Sequence, residues 1–264
     1  MVQKSLAAEL QERAARAVPA EFGERVGGWW LRHAPGCSWW IGSVLPHGGH
    51  EASQAELEAL IAAAEAYTAE RGIPTLLQMT PEAVPPRLDA LLAARGYERQ
   101  VPVSLQTATT SEVLALAQRG SERGPERGPE RGSLRVRLDK HPTREWFEAW
   151  SAVVGGDPEP RWRLLQRITE AGAYASVELG DETVAVGRAV AEDGWAGVFN
   201  MATRPEARSK GAAGAVIAAL ADWAAVNDAA RMYLQVEQEN EGAMRLYARV
   251  GFSEMFPFYF RVKE

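Results

Sequence analysis

Apolar positions recur along the chain with two periods, and the period changes at clusters of Gly, Pro, Asn and Asp. The first 18 residues, MVQKSLAAELQERAARAV, read as a charged amphipathic helix. Gly28–Pro35 and Cys37–Leu45 carry short strand patterns joined by a Pro-Gly turn. Ser53–Arg71 is predicted helical, with Leu57, Leu60, Ile61 and Ala64 on one face. A strand at Thr75–Met79, a helix at Val84–Ala94 stopped by Gly96, and a strand at Arg99–Gln106 follow. Farther on, Leu134–Leu138 reads as a strand, Thr143–Val154 as a helix, and Trp162–Glu170 as a second helical stretch. Tyr174–Leu179, Thr183–Ala191 and Trp195–Ala202 form a predicted meander with Gly-Asp and Asp-Gly turns. A helix (Gly211–Asn227), a strand (Met232–Glu237), a helix (Glu241–Arg249) and a last strand (Glu254–Val262) complete the pattern.

Both periods fail between Gly120 and Gly132, where Arg-Gly-Pro-Glu repeats. With no apolar residue to bury, this tract is expected to be a linker or mobile loop. It divides the chain into an N-terminal domain, 1–115, a linker, 116–133, and a C-terminal domain, 134–264. The two halves answer each other. Val44-x-Pro46, Leu77-Gln78 and Gly96-Tyr97 correspond to Thr203-x-Pro205, Leu234-Gln235 and Gly251-Phe252, with helices in the same intervals. Agreement of local residues at three points favours an internal duplication over a shared element order.

Composition narrows the function classes. A net charge of −6 argues against a general nucleic-acid binder, because the repeated Arg of the linker alternates with Glu. The single cysteine, Cys37, excludes an intrachain disulfide, fits a reducing compartment, and is read as a core residue. No run approaches 18 apolar residues and the first helix is no signal peptide, so a soluble, cytoplasmic protein with no membrane partner is expected. His47-x-x-His50 has metal-ligand spacing but no third ligand nearby, and reads as a solvated loop; no metal is expected. His33 and His141 are unremarkable. No Cys-His or Ser-His pairing suggests a nucleophile.

The strongest chemical signal is Thr203-Arg204-Pro205-Glu206-Ala207-Arg208-Ser209-Lys210-Gly211-Ala212-Ala213, between a strand and an Ala-rich helix. Small residues at 211–213 let backbone amides approach an anion, the helix offers unpaired N–H groups, and Arg208 and Lys210 add charge. Such a cradle suits a pyrophosphate. By itself it is equally a plain strand-to-helix turn. The order fits neither a P-loop nor a dinucleotide fold.

This stretch resembles the acyl-CoA loop of the GNAT acyltransferase superfamily, Val-x-Pro-x-x-Arg-x-x-Gly-x-Gly/Ala, at Pro205, Arg208, Gly211 and Ala213, with Thr203 in place of Val. The superfamily's second motif is matched by Leu234-Gln235-Val236-Glu237, Asn240, Ala243, Leu246-Tyr247 and Gly251-Phe252. The N-terminal half looks like a degenerate copy, with His47-Gly48-Gly49-His50 where the loop would be and Leu92 in the place of Tyr247. Gly28-Trp29-Trp30-Leu31-Arg32 and Ser43-Val44-Leu45-Pro46 are similar to strands that open tandem members of the superfamily.

The resemblance implies an α/β (α+β) architecture of two GNAT-like mixed-sheet halves. It implies acetyl-CoA as donor, CoA as product, and transfer to an amine, of a small molecule or a peptide, by direct attack. Acyl-CoA would be bound by Met201, Ala202, Thr203, Arg208, Ser209, Lys210, Gly211, Ala212, Ala213, Asn240, Ala243 and Tyr247. Tyr247 would be the general acid. Its alternative is a core residue, since Ala243, Tyr247 and Val250 share a helical face. Glu237 is the candidate base, and Glu178 a weaker one. Asn240 reads both as a helix cap and as a pantetheine contact, and the resemblance implies that the strand Asn200-Met201-Ala202-Thr203 offers backbone groups to pantetheine and an amide to the oxyanion. A non-catalytic acyl-CoA sensor or interaction module is the rival reading. A tandem thiol-cofactor synthase, acylating a cysteinyl amine, is a variant within the enzymes. The chain is expected to be a monomer or a homodimer.

Overall fold

The computed structural model describes residues 4–48, 50–122 and 134–264, with 118–122 described by their backbone. The chain forms two compact units. The first holds residues up to Ser104 together with Glu237–Glu239 and Phe256–Glu264; the second holds Leu105–Val236 and Asn240–Met255. The units therefore change at Ser104/Leu105 rather than near 115, and the chain's last nine residues belong to the first. The reason is a ladder, since the final strand pairs with a strand of the N-terminal half. Most of the repeat tract, 123–133, lies outside the described residues.

In the first unit, helix α1 (Leu6–Ala17) is capped by Ser5, whose Oγ accepts from the Ala8 amide. Strands β1 (Phe22–Val26) and β2 (Trp29–His33) form a two-stranded antiparallel ribbon. β1 is exposed along nearly its whole length, so no buried face marks it in the sequence. The strand expected over Cys37–Leu45 is not one. Trp39–Gly42 winds into a 3-10 turn, and Val44 and Leu45 make single bridges to Leu77 and Trp30. Arg32 fixes that turn, because its buried guanidinium donates to the Ser43 carbonyl and to Ser43 Oγ, both at 3.0 Å. Cys37 is half-buried at the turn's entry, not in the core.

Helix α2 (Gln54–Ala69) begins with a closed capping box. The Glu56 amide bonds Ser53 Oγ, and Glu56 Oε2 accepts from the Ser53 amide at 2.7 Å. Helix α2, strand β3 (Thr75–Met79) and helix α3 (Leu88–Ala94) enclose Leu57, Ile61, Leu77, Leu88 and Leu92. Strand β10 (Ser253–Lys263) runs antiparallel to β3 from Tyr259 to Lys263, and Arg261 forks onto Asp89 of α3 with two 2.8 Å bonds.

The second unit opens with the end of β4 (Glu98–Thr109) and helix α4 (Thr110–Glu122), which continues into the stretch read as linker from 116. Val113 and Ala117, four residues apart, are its buried face. Then come β5 (Leu134–Asp139), α5 (Arg144–Val154), α6 (Pro158–Gln166), β6 (Gly172–Leu179), β7 (Glu182–Glu192), β8 (Trp195–Thr203), α7 (Ala212–Val226), β9 (Arg231–Glu237) and α8 (Glu241–Arg249). The strands lie in the order β9-β8-β7-β6-β5, antiparallel except for the parallel pair β8-β9. Helix α7 packs with Ala185, Ala189 and Val198 on one face, while Trp146, Phe147 and Trp150 of α5 pack with Tyr174, Val186 and Ala202 on the other. Among the described residues, no helix is long and apolar enough to cross a membrane.

Both units stop a helix in the same way. After α3, the Tyr97 amide bonds the Leu92 carbonyl at 3.0 Å and the Gly96 amide bonds Ala93. After α8, the Phe252 amide bonds the Tyr247 carbonyl at 3.0 Å and the Gly251 amide bonds Ala248. Each is the glycine stop with a six-to-one bond, and each glycine has positive φ.

The histidines of His47-x-x-His50 part company. His47 Nδ1 donates to Glu12 Oε1 at 3.3 Å in a buried site, while His50 Nε2 bonds the Glu82 carbonyl. Burial pushes the Glu12 carboxyl up, but hydrogen bonds from His47 and Lys4, with their charges, outweigh it and hold the group at about 2. Burial likewise lowers His47 below 6.5, against the pull of Glu12. Both folded values lie below the unfolded ones, so the unfolded chain binds more protons in acid and stability falls with pH. The loss should begin below 6.5 with His47 and continue from 4.5 towards about 2 with Glu12. Urea melts at stepped pH should show Glu12→Gln less stable than wild type at neutral pH, with a flatter decline across the lower window.

Candidate functional site

Strands β8 and β9 pair only over Trp195–Gly197 and Arg231–Tyr233. Gly197 sits where they part, because a Cβ there would lie 2.6 Å from Tyr233 Oη and from the Phe199 ring. The aromatic groups of Phe199 and Tyr233, edge to face at 6.0 Å, fill the start of the fork. Beyond it, Val198–Thr203 has no ladder partner on the β9 side among the described residues.

The other edge of β8 is irregular as well. Arg188 of β7 lies opposite Phe199, and Val186 opposite Ala202, so Asn200 and Met201 together face the single residue Gly187. This is a β-bulge on β8, with Asn200 at φ +53°. Gly187 is required below it, since a Cβ would come within 2.3 Å of Met201 Sδ. Arg188 is fully buried, its Nε donates to Asn200 Oδ1 at 2.7 Å, and its guanidinium lies 4.9 Å from the Phe199 ring centroid. Burial lowers its pKa to about 10, so it stays charged at neutral pH.

From Thr203 the chain turns through a 3-10 segment, Pro205–Ala207, into α7. Arg204 pairs with Glu182, and its amide bonds the Val184 carbonyl, which fixes the exit from β8. Arg208 Nε reaches back to the Thr203 carbonyl at 3.4 Å. Ser209 and Gly211 have φ of +59° and +89°, and Gly211 occupies the cap position of α7 with no side-chain hydrogen bond. The first amides of α7 are thus left without a capping side chain, and space is open where a Gly211 Cβ would be. Arg208, Ser209 and Lys210 are exposed, whereas Ala212 is buried against the core.

Asn240 caps α8, its Oδ1 accepting from the Ala243 amide at 3.1 Å. Tyr247 is 7 % exposed and meets Phe252 edge to face. Burial pushes its phenol up to about 12, so it is protonated throughout the neutral range. Tyr247 packs in the same apolar cluster as Ala207, Ala212 and Val236, which ties α8 to the foot of α7 and to β9. Met201, Ala202, Thr203, Arg208–Ala213, Asn240, Ala243 and Tyr247 all fall within the second unit. Glu237, exposed at the end of β9, groups with the first unit, where the adjacent Gln238 amide bonds the Pro102 carbonyl. Glu178 is held by Arg135, with Nη2 at 2.7 Å. The sequence reading missed Arg188 and Asn200 as a pair, because a bulge brings them together and no motif marks it.

A family profile described as Probable histone acetyltransferase Rv0428c C-terminal matches residues 7–257. The chain belongs to this family, and with it to the GNAT superfamily. A curated relative, the Uncharacterized N-acetyltransferase YobR of Bacillus subtilis (strain 168), is 27% identical over 263 residues, 97% of this chain and 98% of its own. The chain is similar in fold to a GCN5-related N-acetyltransferase from Kribbella flavida, at TM-score 0.68 and 18% identity over 99% of this chain and 96% of that one. It is also similar to a tandem GNAT protein from the clavulanic acid biosynthesis pathway, at TM-score 0.63 and 14% identity over 91% and 81% of the two chains.

Gly197→Ala should overpack the fork of this GNAT fold and cost about 1–3 kcal/mol. Chemical denaturation should show the loss, and near-ultraviolet circular dichroism should register the displaced Tyr233 and Phe199 rings.

Proposed function

We propose that the chain is an acyl-CoA-dependent N-acyltransferase that moves acetyl from acetyl-CoA to an amine by direct attack. The observation that carries this reading is the run from the unladdered edge of β8 to the uncapped start of α7. A strand edge offers backbone donors and acceptors to an extended amide-bearing chain such as pantetheine, and a bare helix N-terminus offers amides to a pyrophosphate. The two are separated by only eight residues, Arg204–Gly211. Membership of a GNAT family and the acetyltransferase names of the relatives support the same reading.

In this scheme Ser209–Ala213 receive the pyrophosphate, with Arg208 and Lys210 adding charge. Met201, Ala202 and Thr203 line the pantetheine, with Asn240 and Ala243 on its other side. An amine with a pKa near roughly 10 must lose a proton before it attacks, and Glu237 at the exposed end of β9 is the proposed base. Nitrogen bonds to the thioester carbon, the carbon–sulfur bond breaks, and the Tyr247 phenol protonates the departing thiolate. The chain is read as a tandem duplication with a degenerate first half, and the identical glycine stops after α3 and α8 support this.

Calorimetric titration with acetyl-CoA should give binding that Gly211→Glu weakens about tenfold or more, because the variant sets a carboxylate beside the helix start. No binding by wild type would overturn the proposal. Once an acceptor is found by screening amines, Tyr247→Phe should lower kcat by about 10²–10⁴-fold with acetyl-CoA affinity nearly unchanged. An unaltered kcat would return Tyr247 to a packing role. A wild type that binds acetyl-CoA and acylates no amine would favour a sensor.

A further inference from the structure

The bulge on β8 poses a physical problem. Asn200 holds φ at +53°, a left-handed conformation that asparagine tolerates better than most L-residues but still adopts at some cost. In a regular strand Asn200 would also point to the face opposite Phe199. With two residues facing one, Asn200 instead comes round to the face shared by Arg188 and Phe199, and Arg188 Nε bonds its Oδ1 at 2.7 Å. The Arg188 side chain is itself fixed from above, with the Phe199 ring 4.9 Å away and Tyr233 packed edge to face against that ring. Arg188 is fully buried and Asn200 half-buried, so the bond between them is partly shielded from water.

We infer that Arg188 is a positioning residue: by gripping Asn200 it locks the β8 bulge, and thereby sets the bulge amides of Asn200 and Met201, at the acyl end of the pantetheine contacts Met201–Thr203. The lock rests on geometry alone. Its consequence for the acyl group rests on the acyl-CoA reading given above. A bulge turns successive amides away from the regular ladder direction, and two residues opposite one leave a donor without a ladder partner. Such a donor serves a thioester carbonyl, whose oxygen gains charge as the amine attacks. The pyrophosphate cradle at Ser209–Ala213 lies farther along the chain and does not depend on the bulge. Loss of the lock should therefore separate acetyl-CoA from free CoA, which lacks the carbonyl.

The test uses the full chain with Arg188→Met, Asn200→Gly and the double variant. Arg188→Met keeps apolar volume while removing the buried charge and its bond to Asn200. Glycine takes the left-handed conformation freely and lacks the Oδ1 that Arg188 holds, so in the Asn200→Gly background Arg188 has nothing to grip. Hydrogen exchange of the ligand-free protein should rise in the segment 198–203 for Arg188→Met and remain unchanged elsewhere in β7 and β8. Acetyl-CoA affinity should fall about three- to tenfold while CoA affinity moves by less than about twofold. Adding Arg188→Met to Asn200→Gly should change either readout only slightly.

Unchanged exchange at 198–203 in Arg188→Met, or effects that add in full in the double variant, would overturn the lock. Equal losses for acetyl-CoA and CoA would overturn its acyl role and leave Arg188 a packing residue. Should Arg188→Met fail to fold, Asn200→Ala removes the same bond from the other side and must loosen the same segment. A wild type that binds neither ligand would overturn the acyl-CoA reading, and the exchange result would still decide the lock.

Discussion

A helix begins with amide protons that nothing inside the helix can accept, and two helices of this molecule meet that constraint in opposite ways. Helix α2 closes its start with Ser53 and Glu56, whose carboxylate bonds the cap amide. Nothing anionic is invited there. Helix α7 starts at Gly211 with no side chain turned back onto its amides, behind a loop carrying Arg208 and Lys210. The two helices thus have opposite electrostatic characters at their first turns. One start is self-contained; the other requires water or an anion.

The second constraint is the fork between β8 and β9. The two strands make three pairs, the last at Gly197 and Tyr233, and then part, which leaves an edge of β8 without a ladder just before the chain turns towards α7. The bulge at Asn200–Met201 bends the same strand from its other side, over Gly187. Helices α7 and α5 pack on the two faces of β7 beside the bulge. A strand with two disturbed edges would be a defect in a purely structural sheet. Beside an uncapped helix start it supplies a row of directed backbone groups.

Much of this was legible in the sequence, for physical reasons. The helices and strands of the C-terminal half carry clear periods bounded by turn residues, and Gly211 stands where the chain needs positive φ. The loop motif and the Asn240–Tyr247 motif were visible through their resemblance to the GNAT pattern, and the structure adds that Asn240 caps α8 and Tyr247 fills the core. What stayed hidden is non-local or weakly patterned. Strand β1 is exposed and has no alternating face, α4 runs into a Gly/Arg-rich stretch that resembles a linker, and Trp39–Gly42 has strand-like residues wound into a turn by Arg32. The return of β10 to β3 brings Tyr259 to Met79 from the far end of the chain, which no window of sequence reveals. Arg188 and Asn200 become partners only through the bulge.

The central claim is that the α7 start and the free edge of β8 together hold an acyl-CoA. A crystal structure with acetyl-CoA tests it most directly. The predicted result is pyrophosphate oxygens on the backbone amides between Ser209 and Ala213 and the thioester beside Asn200–Ala202. Acetyl-CoA bound elsewhere, at the His47–His50 loop ahead of α2 for example, with the α7 amides in contact only with water, would contradict it.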